Sequence, residues 1–255
     1  MKLVTWNINS IRARNDRLFA WIDREKPDVL CLQETKTEDA GFPTEALRAA
    51  GYHVATFGQT SYNGVAIAST QPIDSVTREF GDGQDDGDAR VISGVTHGIR
   101  VVCIYVPNGQ DLDSDRYPYK LAWLGRLRAY LDRTAKPGDP LVVCGDMNVT
   151  PDDRDVWSPA EWAGKIHCSP AEREALANVA KFPLVDLFRA HNPDGGVYSW
   201  WDYRGVSFFK NRGLRIDVIF GTQAIADRCT ACTIDRNARK GENASDHAPV
   251  IATLA

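Results

Sequence analysis

The sequence predicts an α/β four-layer sandwich, two mixed β-sheets packed face to face with α-helices on the outside. Three observations point there. Short β-rich runs recur from one end of the chain to the other: KLVTW, DVLCLQ, HVATF, GVAIAS, IDSVTRE, ARVISGVT, IRVVCIYV, PLVVCGDM, LRIDVIFG, ACTID and PVIATL. Several are apolar on both faces, so each needs cover on both sides, which puts sheet on sheet and helices outside. Helical patterns fall at 12–24, 43–50, 115–134 and 170–180. In the third of these, Leu121, Leu124, Leu127 and Leu131 follow three-to-four spacing, the mark of an amphipathic helix on a core. No repeat, low-complexity run or linker divides the chain, so residues 1–255 are read as one domain.

The composition is that of a soluble protein, with 43% hydrophobic and 25% charged residues and no apolar run long enough to span a bilayer. The start, MKLVTWNINS, reads as a strand entering a loop and lacks the apolar core and cleavage site of a signal peptide, so an intracellular, cytoplasmic protein is expected. Cys31, Cys103 and Cys144 sit inside apolar runs, where a reduced cysteine behaves as a small buried hydrophobe. Cys229 and Cys232 form a CxxC. Zinc would need two more ligands, and His167 with Cys168 is the only distant candidate, so a structural role is expected instead. The acidic run GDGQDDGD (81–88) lacks the spacing of an EF-hand and reads as a solvated turn. A net charge of −4 does not by itself suggest nucleic acid, but it is a weak guide when a site gathers carboxylates for metals.

Chemistry shows at the ends of the strands. Asn7 follows KLVTW and Glu34 follows VLCLQ. Tyr105 and Asn108 close VVCIYVPNG, and Asp146 and Asn148 follow LVVCG. Asp217 interrupts LRIDVIF, and Asp246–His247 precedes APVIATL. Singly, each has an ordinary explanation: a strand-end carboxylate caps local backbone, an asparagine forms a turn, a tyrosine half-buries its ring. Six strands ending this way point to one convergent mouth on a rigid scaffold. The residue types suit phosphodiester hydrolysis. Glu34 offers a hard oxygen for Mg²⁺, Asp146 can orient or deprotonate a water, and Asn7 and Asn148 can fix that water. His247 can reach non-bridging oxygens, with Asp217 setting its tautomer and favouring its cation.

On TWNINSIRAR, PDVLCLQETK, YNGVAIAS, YVPNG, GDMNVTP, LVDLFR, SWWDYR, NRGLRIDVIF and SDHAPV, taken in order over residues 1–253, the chain resembles exonuclease III and the apurinic/apyrimidinic endonucleases of the endonuclease/exonuclease/phosphatase superfamily. The resemblance implies a DNase I-like sandwich. It also implies metal-dependent hydrolysis of the phosphodiester 5′ to abasic sites, together with 3′→5′ trimming of duplex DNA. It implies a metal at Glu34, with Asn7, Asp146, Asn148, Asp246 and His247 around it, Mg²⁺ being the ion and Mn²⁺ its substitute. Asp146 and Asn148 would activate and align the water, Tyr105 and Asn108 would contact the scissile phosphate, and Asp217 would pair with His247.

Arg12, Arg14 and Arg17 beyond Asn7, and Arg204, Lys210, Arg212 and Arg215 before Asp217, are candidate phosphate contacts. Trp200, Leu214 and Ile216 match positions that wall an apolar pocket for a flipped-out abasic sugar in the family, with core packing the alternative for Trp200 and Trp201. The expected partner is double-stranded DNA with abasic sites or 3′ ends, bound by a nucleoid-associated monomer without membrane contact. Phosphoinositide and sphingolipid phosphodiesterases, or a DNase I-like non-specific nuclease, would carry a further histidine before the GDxN segment, and neither His53 nor His97 stands there. A DNA-binding protein that had lost catalysis would have lost Glu34, Asp146 or His247, and all are present.

Overall fold

Along the first strand Leu3 faces one way and Val4 and Trp6 the other, and all three are buried. That two-sided burial repeats through the molecule and sets its layers. The computed structural model describes residues 1–84 and 87–255. One six-stranded sheet contains β1 (Lys2–Asn7), β2 (Val29–Gln33), β3 (His53–Phe57), β4 (Val65–Ser69), β11 (Cys229–Ile234) and β12 (Val250–Leu254), in the order β11-β12-β1-β2-β4-β3. The other contains β5 (Asp74–Arg78), β6 (Val91–Thr96), β7 (Ile99–Tyr105), β8 (Leu141–Asp146), β9 (Val185–Asp186) and β10 (Asp217–Gly221), in the order β5-β6-β7-β8-β10-β9. Both are mixed: β1–β2 and β7–β8 run parallel, and the other pairs antiparallel.

Between the sheets Leu3, Cys31 and Ile67 meet Val101, Cys103, Cys144 and Ile219 in one apolar layer. Outside the first sheet, α1 (Ile11–Glu25) and α2 (Thr44–Ala49) cover Val4, Trp6, Leu30 and Leu32 with Leu18, Trp21, Ile22 and Leu47. Outside the second, α3 (Arg116–Thr134) covers Val102, Ile104 and Val143 with Trp123, Leu124, Leu127 and Leu131. Leu121 is only half-buried: the face of α3 that meets the sheet is centred on Lys120, Trp123, Leu124 and Leu127 instead. The four layers match the expectation.

Three details differ from it. The run LRIDVIFG enters its sheet only at Asp217; Leu214 makes isolated bridges to Val156 and Trp200. The two-residue β9 and the short helices α4 (Pro159–Trp162), α6 (Leu187–His191) and α7 (Gln223–Ala226) span too few residues to show a period. The acidic run is anchored at both ends. Asp82 bonds Arg126 at 2.7 Å and is lowered to about 2 by it, and Asp88 pairs with Arg90 at 3.0 Å. Asp85 and Asp86 lie outside the described residues. α5 (Pro170–Ala180) packs beside α3 and starts at a capping box of Ser169 and Glu172. Among the described residues no helix is long and apolar enough to cross a membrane.

Candidate active site

The layer between the sheets turns polar at one edge. Along β1 the inward residues are Leu3, Thr5 and Asn7; along β8 they are Val142, Cys144 and Asp146; along β7, Val101, Cys103 and Tyr105. Register brings the polar ends together. Asp146 pairs with Tyr105 on the parallel neighbour and with Asp217 on the antiparallel one, so three functional side chains share a row and a face. Gly145 makes that row possible: a Cβ there would stand 1.8 Å from the carbonyl oxygen of Ile104.

The opposite sheet reaches across. Asn7 donates from Nδ2 to Asp146 Oδ2 at 2.9 Å and to Glu34 Oε1 at 2.8 Å, while its Oδ1 accepts from the Asn9 amide. Glu34 leaves β2 with φ 50°, a left-handed conformation uncommon outside glycine, and its carbonyl accepts the Ser10 amide at 2.7 Å. Its other oxygen pairs with Lys36 at 2.7 Å. His247 completes the centre. Its Nδ1 lies 2.8 Å from Asp217 Oδ2 and its Nε2 3.7 Å from Asp146 Oδ2, and Ser245 ties its amide to the Asn7 carbonyl. Asp217 is held in turn by its amide, which donates to Ser199 Oγ at 3.1 Å.

Burial raises Asp146 to about 7, with Asp217 and Glu34 adding to the rise and His247 opposing it. Burial works against a cation at His247, yet Asp217 and Asp146 outweigh it and push its pKa up to about 10. Burial, then Glu34 and Asp146, keep the Tyr105 phenol protonated. Ligand atoms of Glu34, Asp146 and His247 lie within 4.8 Å of one another. The two carboxylates fit a hard divalent ion, and their crowding is what such an ion relieves. Of the other expected ligands, His247 belongs to the same cluster and offers Nε2 once it loses its proton, while the rest are engaged with protein partners. Asn7 presents its amide nitrogen. Asn148 directs Nδ2 to the Val106 carbonyl, and its Oδ1 accepts from Asn108 at 3.2 Å. Asp246 stands outside the triad, its oxygens on Asn9 and on the Trp200 indole N–H.

The proposed DNA contacts divide sharply. Arg12 is exposed on the first turn of α1, and Arg212 is exposed with its guanidinium over Trp157 at 4.8 Å. Arg215 is a correction. It is fully buried, bonded to Asp155 at 2.5 Å and to Asp186 at 2.7 Å, and cannot reach a phosphate. Arg17 is likewise taken up by the carbonyls of Ala238, Lys240 and Glu242. Leu214 is fully buried and Ile216 nearly so, packed with Val156, Cys168, Trp162 and Trp200, so neither faces an open recess. Of the tryptophan pair, Trp201 is core and Trp200 is half-buried at the site.

Sequence reasoning missed Asn9, Lys36 and Ser199, although they lie inside the NINS, LQETK and SWWDYR segments it used. It also missed His167, considered only as a zinc ligand. His167 Nδ1 bonds the Asn148 carbonyl at 2.6 Å, and its ring centroid lies 6.3 Å from that of Trp200. Burial, helped by Lys120, lowers its pKa to about 4. His53 opens β3, and His97 sits in the β6–β7 turn bonding Thr70, both in the first half of the chain.

The model of the Endonuclease/Exonuclease/phosphatase family matches residues 4–247. The chain belongs to that family. It is 36% identical to exodeoxyribonuclease III of Haemophilus influenzae, over 99% of both chains. Among solved structures, the 3′ phosphatase NExo from Neisseria bound to product DNA hairpin superposes with a TM-score of 0.97 at 38% identity, covering 100% of this chain and 99% of that one. The AP endonuclease from Archaeoglobus fulgidus superposes with a TM-score of 0.96, also at 38% identity and the same coverage.

Two outcomes are expected of this family member's site frame. Arg215→Ala leaves the buried Asp155 with Arg189 alone and the partly buried Asp186 without its cation, and lowers unfolding free energy in urea by about 3 kcal/mol, whereas Arg212→Ala stays within about 0.5 kcal/mol; equal effects would contradict the division between them. The second concerns pH. The folded His167 takes up a proton near pH 4 and the unfolded one near 6.5, so burying it neutral adds stability that is full above 6.5 and is lost as pH falls toward 4. The stability gap between the native chain and His167→Gln therefore narrows by about 2 kcal/mol from pH 7 to pH 5; a constant gap would show that the ring titrates normally.

Proposed function

We propose that this protein hydrolyses phosphodiesters of double-stranded DNA in a reaction dependent on a divalent metal, removing nucleotides or blocking groups from 3′ ends and incising 5′ to abasic sites. The observation that carries this is the convergence on Asp146 of Asn7 from one sheet and Tyr105, Asp217 and His247 around it, with Glu34 alongside. Glu34, with Asp146 beside it, would hold the ion; Mg²⁺, or Mn²⁺ in its place, would offset charge on the phosphate and the departing oxygen. Asp146, at the centre of the cluster, is the carboxylate placed to accept the proton of the attacking water. As the new P–O bond forms, the bond to the 3′ oxygen breaks, and that oxygen takes up a proton from water to leave a 3′-hydroxyl. His247, a cation fixed by Asp217, donates to a non-bridging oxygen, and the protonated Tyr105 supplies a second donor. Asn108 and Asn148 hold each other and the water side of Asp146.

The packing of Leu214 and Ile216 favours 3′ ends over internal abasic sites. A flipped-out sugar needs a recess, and here its walls are closed against Trp200, Val156 and Cys168. A 3′ terminus can enter without extrusion.

Asp146→Ala and His247→Ala are each expected to cut turnover on a 3′-labelled duplex by at least about 10²-fold with folding intact, and EDTA to abolish it. Near-normal turnover in folded His247→Ala would remove the site assignment. On matched duplexes, kcat/KM for a 3′-terminal substrate should exceed that for an internal abasic analogue by about 10-fold or more, since the recess must first open; parity would mean that the closed packing does not set specificity.

A further inference from the structure

Behind the site, the side chains of Lys120 on α3 and Glu172 on α5 are both fully buried and paired at 2.5 Å. The mechanism uses neither. Lys120 Nζ also donates to the backbone carbonyls of Asn108 at 3.0 Å and Asn148 at 2.6 Å. These are the two residues whose side chains meet each other at 3.2 Å and lead on to Asp146. Glu172 accepts from the amides of His167 and Ser169 and from the Ser169 hydroxyl, itself 2.6 Å from Tyr117 Oη. The Asn108–Gly109 turn lies directly on the lysine stem: with φ 88°, a Cβ at Gly109 would stand 3.0 Å from Lys120 Cδ.

We propose that Lys120 and Glu172 are positioning residues, a buried ion pair whose ammonium clamps the Asn108 and Asn148 loops in the geometry that aligns phosphate and water. Stability alone gives little reason for such a pair, because apolar replacement of buried ion pairs is often neutral or favourable. Direction gives one. An ammonium with three donors, each on a different acceptor, fixes two loops to one helix, whereas apolar packing would let them slide. A displacement of about 1 Å in such loops is enough to cost 10²-fold in rate.

The inference rests on the phosphodiesterase reading, and the two fail differently. An unaltered chain that does not hydrolyse a 3′-labelled duplex with Mg²⁺ overturns that reading. If it is active, the test is the double variant Lys120→Met/Glu172→Gln, which leaves no lone buried charge, whereas Lys120→Met alone strands the Glu172 carboxylate. Its kcat should fall by about 10–10²-fold with KM within about 3-fold. Introduced into Asn148→Ala, the same pair of changes should cost less than about 3-fold more, because the loop it serves has already lost its side chain. Full kcat in the folded double variant, a rise in KM alone, or an undiminished loss on the Asn148→Ala background would each overturn the proposal.

Discussion

The active edge depends on one row of the second sheet. Tyr105, Asp146 and Asp217 are register partners, so three side chains of matched reach project from neighbouring strands toward the same side. Two of them are carboxylates with less than 2% of their surface exposed. Water would stabilise those charges far better than an apolar layer does. The protein offsets the cost locally, with the Asn7 side-chain amide, the Asn148 backbone amide and the His247 cation, and not completely. Asp217 Oδ1 has no hydrogen-bond partner among the described residues. A local arrangement that works against stability is the kind that function retains.

The sandwich was legible because its rule is simple: strands apolar on both faces need cover on both. The centre of the site was legible because each chemical group follows an apolar run, and strand alternation then dictates which way it faces. Asn7, Glu34, Asp146, Asp217 and His247 meet as expected. What sequence could not show is which partner a charged residue chooses. Arg212 and Arg215 are three residues apart and equally basic, yet one stacks on a half-buried tryptophan and the other is consumed by Asp155 and Asp186, residues 60 and 29 positions away. Leu214 looked like a pocket wall and is core for a similar reason: its cover comes from the 156–168 segment, whose short helix and turns carry no periodic signal. Lys120 was hidden by its own helix. On an amphipathic pattern a lysine beside leucines reads as the edge of the polar face, and only the capping glutamate of a second helix brings it inside.

A protein with a net charge of −4 handles a polyanion by arranging charge locally. At the centre the carboxylates outnumber the cations, the imbalance that a divalent ion corrects and that the phosphate then shares. Exposed Arg12, Lys210 and Arg212 carry positive charge at the periphery, where it meets solvent, while Arg204 is paired with Asp202. The buried cations have different work. Lys120 secures the loops of Asn108 and Asn148, and Arg215 secures the strand entry two residues before Asp217. Each lies on a different side of the Asp146 row and each is directional, so both flanks of the row are held in orientation as well as in place. The carboxylate row can stay crowded at the centre because its neighbours have no freedom to relax away from it.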